Sequence, residues 1–233
     1  MPEDKPQITP IFYFNENFQN SRICPKVFSP GKPITRLPDK ESVKMEYSKK
    51  MLIVIAPENF RDEELFEPLG ILEENGIEYE IISTDKGRFR GMLGGYATAT
   101  ETISGILQLL EGGKGMKHYG GLMIVGGSGS KDYLWGNEDL YEIVRQFDEA
   151  KMPIGAICLS PVVLARAGVI PGRHATVWPD KEAIREMEKH KAVYDDEPVV
   201  SDGRFITANG PAAAAEFGKR MAEAFLGEVI YTD

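Results

Sequence analysis

From Met51 onward, short all-apolar runs alternate with segments whose apolar residues recur at helical spacing. This alternation constrains the fold more than any other feature of the chain. "MLIVIA" (51–56) has no polar side chain, which suits a strand covered on both faces. "FRDEELFEPLGILEENG" (60–76) follows, with Leu65, Leu69 and Leu72 at helical spacing and Gly76 as a stop. "IEYEIIS" (77–83) reads as a strand, "GRFRGMLGGYATAT" (87–100) as a glycine-rich hairpin or loop, and "TISGILQLL" (102–110) as a short helix. "GLMIVGG" (121–127) is a strand ending in two glycines, "NEDLYEIVRQFDEAK" (137–151) an amphipathic helix, and "PIGAIC" (153–158) a strand. "SPVVLARAG" (160–168) is a helix with Ser160 as N-cap and Pro161 at its first position. After "HATVWPD" (174–180) come a polar helix (180–190), two strand-like pieces, "PVVSD" and "RFITANG", and a closing helix (211–227). Such alternation predicts an α/β fold, a doubly wound and mostly parallel sheet sandwiched by helices.

Residues 1–50 break the pattern. They hold seven of the fifteen prolines, a density that forbids regular helix and interrupts strand ladders. They also carry nine Lys/Arg against six Asp/Glu, whereas the whole chain has a net charge of −9. The expectation is a basic, proline-rich arm (1–50) and an acidic α/β domain (51–233) on which it docks electrostatically. The aromatic string "IFYFNENF" (11–18) favours an arm packed on its own body or a partner subunit over a disordered tail.

Several function classes are disfavoured. An acidic surface does not suit a general nucleic-acid binder, which needs clustered Lys and Arg. Cys24 and Cys158 form no CxxC pair and no histidine cluster accompanies them, so no metal is expected. "GMLGG" (91–95) lacks the Walker lysine and the dinucleotide spacing, so no cofactor is expected either. The first residues carry Pro and charge in place of a signal peptide, and no apolar run approaches the roughly 20 residues of a membrane helix. Two widely spaced cysteines fit reduced thiols. The chain reads as cytoplasmic, with no membrane and no nucleic-acid partner.

Ligands of open α/β sheets sit at the carboxyl ends of the strands. Three such ends carry suggestive residues: the acidic cluster Asp62, Glu63, Glu64 after the first strand, Gly126-Gly127 after "GLMIV", and Cys158 after "IGAI". A helix N-terminus favours thiolate, and a sharp strand-to-helix turn exposes a nucleophile. The N–H groups of Gly127 and Leu159 are placed to form an oxyanion hole. Position alone leaves other readings open. Cys158 also suits a small inert core residue, Glu64 a solvated carboxylate in a first helical turn, and the glycine pair a simple turn.

"AICLSPVVLARAGVIPGRHATVWP", "FRDEELFEPLGILEENG", "GLMIVGG" and "DGRFITANGPAAAAEFG" together resemble the ThiJ/PfpI (DJ-1) superfamily, which is class I glutamine amidotransferase-like. The resemblance covers about residues 51–227. It implies a flavodoxin-like sandwich, a homodimer or higher homo-oligomer, and a cysteine on a strained elbow, matched by Cys158. It implies a glutamate in contact with that thiol, which the F-x-D-x-E-L motif places at Glu64, and an oxyanion contact at Gly127. Two positions depart from the pattern. PfpI-like members carry His after the cysteine, where this chain has Leu159, and the T-x-H-P stretch is here "TVWP", giving Trp178.

No other histidine substitutes easily. His118 precedes the "GLMIV" strand at the wrong end of the sheet, and His190 ends a polar helix. In an extended segment, His174 is about 13 Å from Trp178 at ~3.3 Å per residue. The expected function is thus a cysteine-dependent enzyme acting on a small electrophilic substrate, of hydrolase/amidase or glyoxalase/deglycase type, with weak or no peptidase activity. Cys158 is the expected nucleophile and Glu64 the proton shuttle, with Gly127 and Leu159 as the oxyanion hole and Gly126 and Trp178 lining the pocket. The alternative is a redox-sensing or stress-protective binding protein acting through oxidation of Cys158.

Overall fold

The computed structural model describes residues 49–113 and 115–227, so the arm (all but its last two residues) and Cys24 lie outside the described residues. The first half supplies β1 (Lys50–Val54), α1 (Asp62–Glu74), β2 (Tyr79–Ser83), β3 (Gly87–Arg90), β4 (Tyr96–Ala99), β5 (Glu101–Thr102) and α2 (Ile103–Glu111). The second half supplies β6 (Tyr119–Ile124), α3 (Glu138–Glu149), β7 (Ile154–Ile157), α4 (Pro161–Ala167), β8 (His174–Ala175), α5 (Lys181–Lys189), β9 (Val193–Tyr194), β10 (Val199–Asp202), β11 (Phe205–Ala208) and α6 (Ala214–Leu226).

The main sheet runs β10-β11-β7-β6-β1-β2-β5. Every neighbouring pair is parallel except β10 and β11, which form an antiparallel edge. Among β1, β2, β6, β7 and β11, the second strand lies outside the first and the rest follow on its other side. This is the flavodoxin-like order, and it reverses between β1 and β6. The predicted mostly parallel, doubly wound sheet is therefore present. The glycine-rich segment forms the β3–β4 hairpin beside it.

Met51–Val54, Leu122–Ile124 and the apolar residues of β7 are fully buried. Helices cover both faces: α1 packs on α6, while α2, α3, α4 and α5 pack successively on one another. Each fully buried Leu, Ile or Val contributes about 1.5–3 kcal/mol by leaving water. One sequence expectation fails locally. Ser160 makes no N-cap bond. Its hydroxyl is fully buried and donates to Val125 O at 2.8 Å, tying α4 to the end of β6. A buried hydroxyl takes the best acceptor within reach, and here that carbonyl outcompetes the helix's own N–H groups. The other end of α4 follows the rule, with Gly168 in the left-handed region at φ +79°. Among the described residues, no helix is long and apolar enough to cross a membrane.

Candidate active site

The sheet order reverses between β1 and β6, and the segments leaving β1, β6 and β7 meet there. Cys158 follows β7 directly, with φ +64°. A non-glycine residue in the left-handed region costs on the order of 1–3 kcal/mol, so its surroundings must over-determine it. They do: Cys158 N–H donates to Ala208 O at 2.8 Å, and Cys158 O accepts from Trp178 N–H at 2.8 Å. Ser160 N–H donates to Ile157 O at 3.1 Å, and the Trp135 indole N–H holds Leu159 O at 2.8 Å. The strained turn is thus pinned to β11, to the segment after β8, and to Trp135.

The two glycines are required by close approach. A Cβ on Gly126 would collide with both Cys158 Cβ and Glu64 Oε2, so thiol and carboxyl crowd the same point. Gly127 has φ +106°, and a Cβ there would strike the backbone of Asn59 and Arg61. Arg61 N–H donates to Gly126 O at 3.0 Å, which seats the start of α1 against the end of β6.

The three carboxylates that open α1 have separate tasks. Asp62 accepts from Leu93 N–H at 2.8 Å and from Gly95 N–H at 2.6 Å, pinning the hairpin loop. Glu63 pairs with the Arg61 guanidinium at 2.8–2.9 Å. Glu64 is fully buried, and neither of its oxygens has a hydrogen bond of ordinary geometry among the described residues. Burial pushes its pKa up to about 8, while the neighbouring Cys158 thiol, the Arg61 charge and the Gly126 N–H pull the other way. Near pH 7 the carboxyl is protonated.

The thiol departs from the expectation of an easily ionised cysteine. Burial pushes it up to about 12, and a charged Glu64 adds to the rise. The N–H groups of Gly127 and Leu159 face the sulfur and oppose this shift, but they do not overcome it. α4 is only seven residues long and offers little dipole to help.

Cys158, Glu64, Gly127, Leu159 and Trp178 line one cavity of about 250 Å³, together with Arg61, Met92, Ser128 and Pro211. Gly126 lies directly beneath the thiol and carboxyl. The structure thus brings Cys158, Glu64, Gly126, Gly127, Leu159 and Trp178 together, whereas Asp62 and Glu63 of the same acidic cluster do not line the cavity. Sequence reasoning missed Met92 and Pro211, whose places depend on the hairpin and on the approach to α6. Arg61 had a signal, since it stands three residues before Glu64 at the same strand end. A larger hollow of about 560 Å³, lined by Glu78, Glu80, Glu101, His118 and Tyr119 among others, lies at the amino ends of the strands and carries no thiol. None of the chain's three histidines lines the Cys158 cavity. His174 is held by Asp195 at 2.9 Å, and His190 lies 3.7 Å from Glu186.

A family model described as the DJ-1/PfpI family matches residues 49–224. An uncharacterized protein of Methanocaldococcus jannaschii is 47% identical over 175 residues, which is 75% of this chain and 82% of that protein. A deglycase of Pyrococcus horikoshii is 28% identical over 163 residues, 70% of this chain and 91% of that one. Among solved structures, a ThiJ/PfpI domain protein from Brachyspira murdochii superposes with a TM-score of 0.69 at 24% identity, covering 78% of this chain and 99% of that one.

Proposed function

The chain belongs to the DJ-1/PfpI family, and from that premise we propose that it is a cysteine-dependent enzyme acting on a small electrophilic substrate. In this reading the reactive form is the one whose Glu64 has ionised, and in it Cys158 Sγ attacks the electrophilic carbon while its proton passes to that carboxylate. The developing oxyanion takes the N–H groups of Gly127 and Leu159. Glu64 then returns the proton to the departing group, or to the carbon–oxygen product. The observation that carries the reading is a fully buried Glu64, without a hydrogen bond of ordinary geometry among the described residues, beside a sulfur that two backbone N–H groups face.

With no histidine at the cavity, Glu64 is the only titratable group besides Arg61 and Cys158 that lines it among the described residues. One carboxyl suits aldehydes, hemithioacetals and activated acyl groups better than peptide bonds, whose amine must be protonated as it departs. The Pyrococcus horikoshii relative is named a deglycase, which favours carbonyl-derived substrates within this range. The homo-oligomeric assembly belongs to the same proposal and rests on the family resemblance, while the cytoplasmic setting rests on the two widely spaced cysteines.

Incubation with small 2-oxoaldehydes, activated esters and simple amides, followed by NMR of the products, tests the assignment. Turnover of any of these is expected to fall at least ~10³-fold in Cys158→Ala, as for loss of a nucleophile. A Cys158→Ala protein that keeps its turnover would show that the chemistry lies elsewhere.

A further inference from the structure

We infer that the Cys158 cavity is built for an uncharged substrate whose electrophilic carbon is carried on an aromatic body, stacked against the indole of Trp178. The inference rests on Cys158 being the nucleophile and adds the substrate class.

Trp178 is 43% exposed, unusually open for a side chain with so much apolar surface, and it faces the cavity. It is nonetheless fixed in place. Its backbone N–H donates to Cys158 O at 2.8 Å, and its backbone carbonyl accepts from Asp180 N–H at 2.6 Å. Its six-membered ring lies against Gly210, where a Cβ would come within 2.6–2.7 Å of two ring carbons. Gly210 also has φ +153°, so both its backbone and its missing side chain suit this contact. One side of the indole is thus backed by the chain, while a large part of the ring stays open to solvent. An apolar ring held open beside a reactive thiol has one clear use, which is to cover an apolar ligand.

The rest of the lining agrees. Met92, 43% exposed, brings an adaptable thioether that makes favourable contacts with aromatic rings. Leu159 and Pro211 complete an apolar wall. Only two charged residue types line the cavity. Arg61 is paired with Glu63 and burial favours the uncharged form of Glu64, so none of the described lining residues offers an unpaired charge to an ionic ligand near pH 7. The volume of about 250 Å³ equals that of about eight water molecules at ~30 Å³ each. It fits one ring bearing a short reactive arm, and it is smaller than the roughly 300–1,000 Å³ of drug-sized sites.

Two alkylating reagents read this directly without knowledge of the natural substrate: 2-chloroacetamide and its N-phenyl derivative. In each, Cys158 Sγ forms a bond to the methylene carbon as the C–Cl bond breaks, releasing chloride, and the thiol proton passes to buffer, by way of Glu64 in molecules whose carboxyl has ionised. Rates are followed at the Cys158 peptide by mass spectrometry and divided by the rate with glutathione. The N-phenyl reagent is expected to gain roughly five- to tenfold over chloroacetamide, the size of one aromatic stack with its buried area. Trp178→Leu, which keeps apolar bulk without a ring face, is expected to bring the two normalised rates to within about twofold of each other. Trp178→Phe is expected to keep most of the preference. Equal normalised rates for the two reagents, or a preference that survives in Trp178→Leu, would overturn the inference and leave the nucleophile assignment standing. A Cys158 inert to both reagents would instead overturn that assignment, and the inference with it.

Discussion

Burial is the largest influence on both reactive side chains, and it acts on them in the same direction. Glu64 and Cys158 each keep their proton to higher pH than in water because the site disfavours charge. The resting pair is therefore neutral near pH 7, a thiol beside a carboxylic acid. Stability must register this. The Glu64 carboxyl moves from an ordinary 4.5 to about 8 in the folded chain, so between those values the native state binds a proton that the unfolded chain has lost. Its favourable contribution is complete below about pH 4.5 and disappears as pH rises through about 8. Asp180 and Glu186, whose pKa values are lowered, act only on the acid side of this window. Each tenfold difference in proton affinity between folded and unfolded chains is worth about 1.4 kcal/mol. Urea unfolding should therefore show wild-type stability falling by roughly a few kcal/mol between about pH 5 and about pH 9. Glu64→Gln, which carries no titrating group there, should show a much flatter profile. Parallel curves for the two proteins would mean that Glu64 is not a buried acid.

At the scale of elements, the site is an agreement among three strand ends and one hairpin. The strand ends were legible in the sequence because each carries a local signature. "GLMIVGG" ends in glycines, "IGAIC" runs into Ser-Pro, and "MLIVIA" precedes an acidic helix start. The hairpin's role was not legible. It depends on Asp62 reaching Leu93 and Gly95, 31 and 33 residues away, and such a contact has no periodic trace. The same holds for Ser160, whose hydroxyl serves the sheet instead of its own helix because burial brought Val125 O within reach. Asp62→Ala should therefore free the loop that carries Met92. Charge-assisted bonds from two backbone N–H groups to one carboxylate are worth about 1.5–3 kcal/mol each. Hydrogen exchange at the Leu93 and Gly95 amides should speed up by at least ~10-fold in Asp62→Ala. Amides away from the hairpin should slow or speed only with global stability. Unchanged protection at those two amides would show that the loop is held by something other than Asp62.

At the scale of the whole molecule, the order of the sheet decides where chemistry is possible. The reversal between β1 and β6 opens a crevice at the carboxyl ends, and the only described thiol stands in it. The larger hollow at the opposite end has more room but no comparable group. The alternation of apolar runs predicted this architecture, because parallel strands buried on both faces leave an unbroken apolar record. Composition could not reveal the electrostatic state of the site. An elbow at a helix start suggests an ionised thiol, yet burial of the thiol itself, the neighbouring carboxyl and a helix of only seven residues reverse that expectation.

The central claim is that Cys158 and Glu64 share one ionisation, so that Glu64 governs when the thiol reacts. It is tested most directly by the pH dependence of Cys158 alkylation with iodoacetamide, in a Cys24→Ser background, with and without Glu64→Gln. Loss of the pair's first proton should give the wild-type rate an inflection near pH 8, where Glu64 first becomes a base. Glu64→Gln should lack that inflection and react only at higher pH, because burial alone still holds the thiol above its ordinary value. Superimposable profiles for the two proteins would contradict the account.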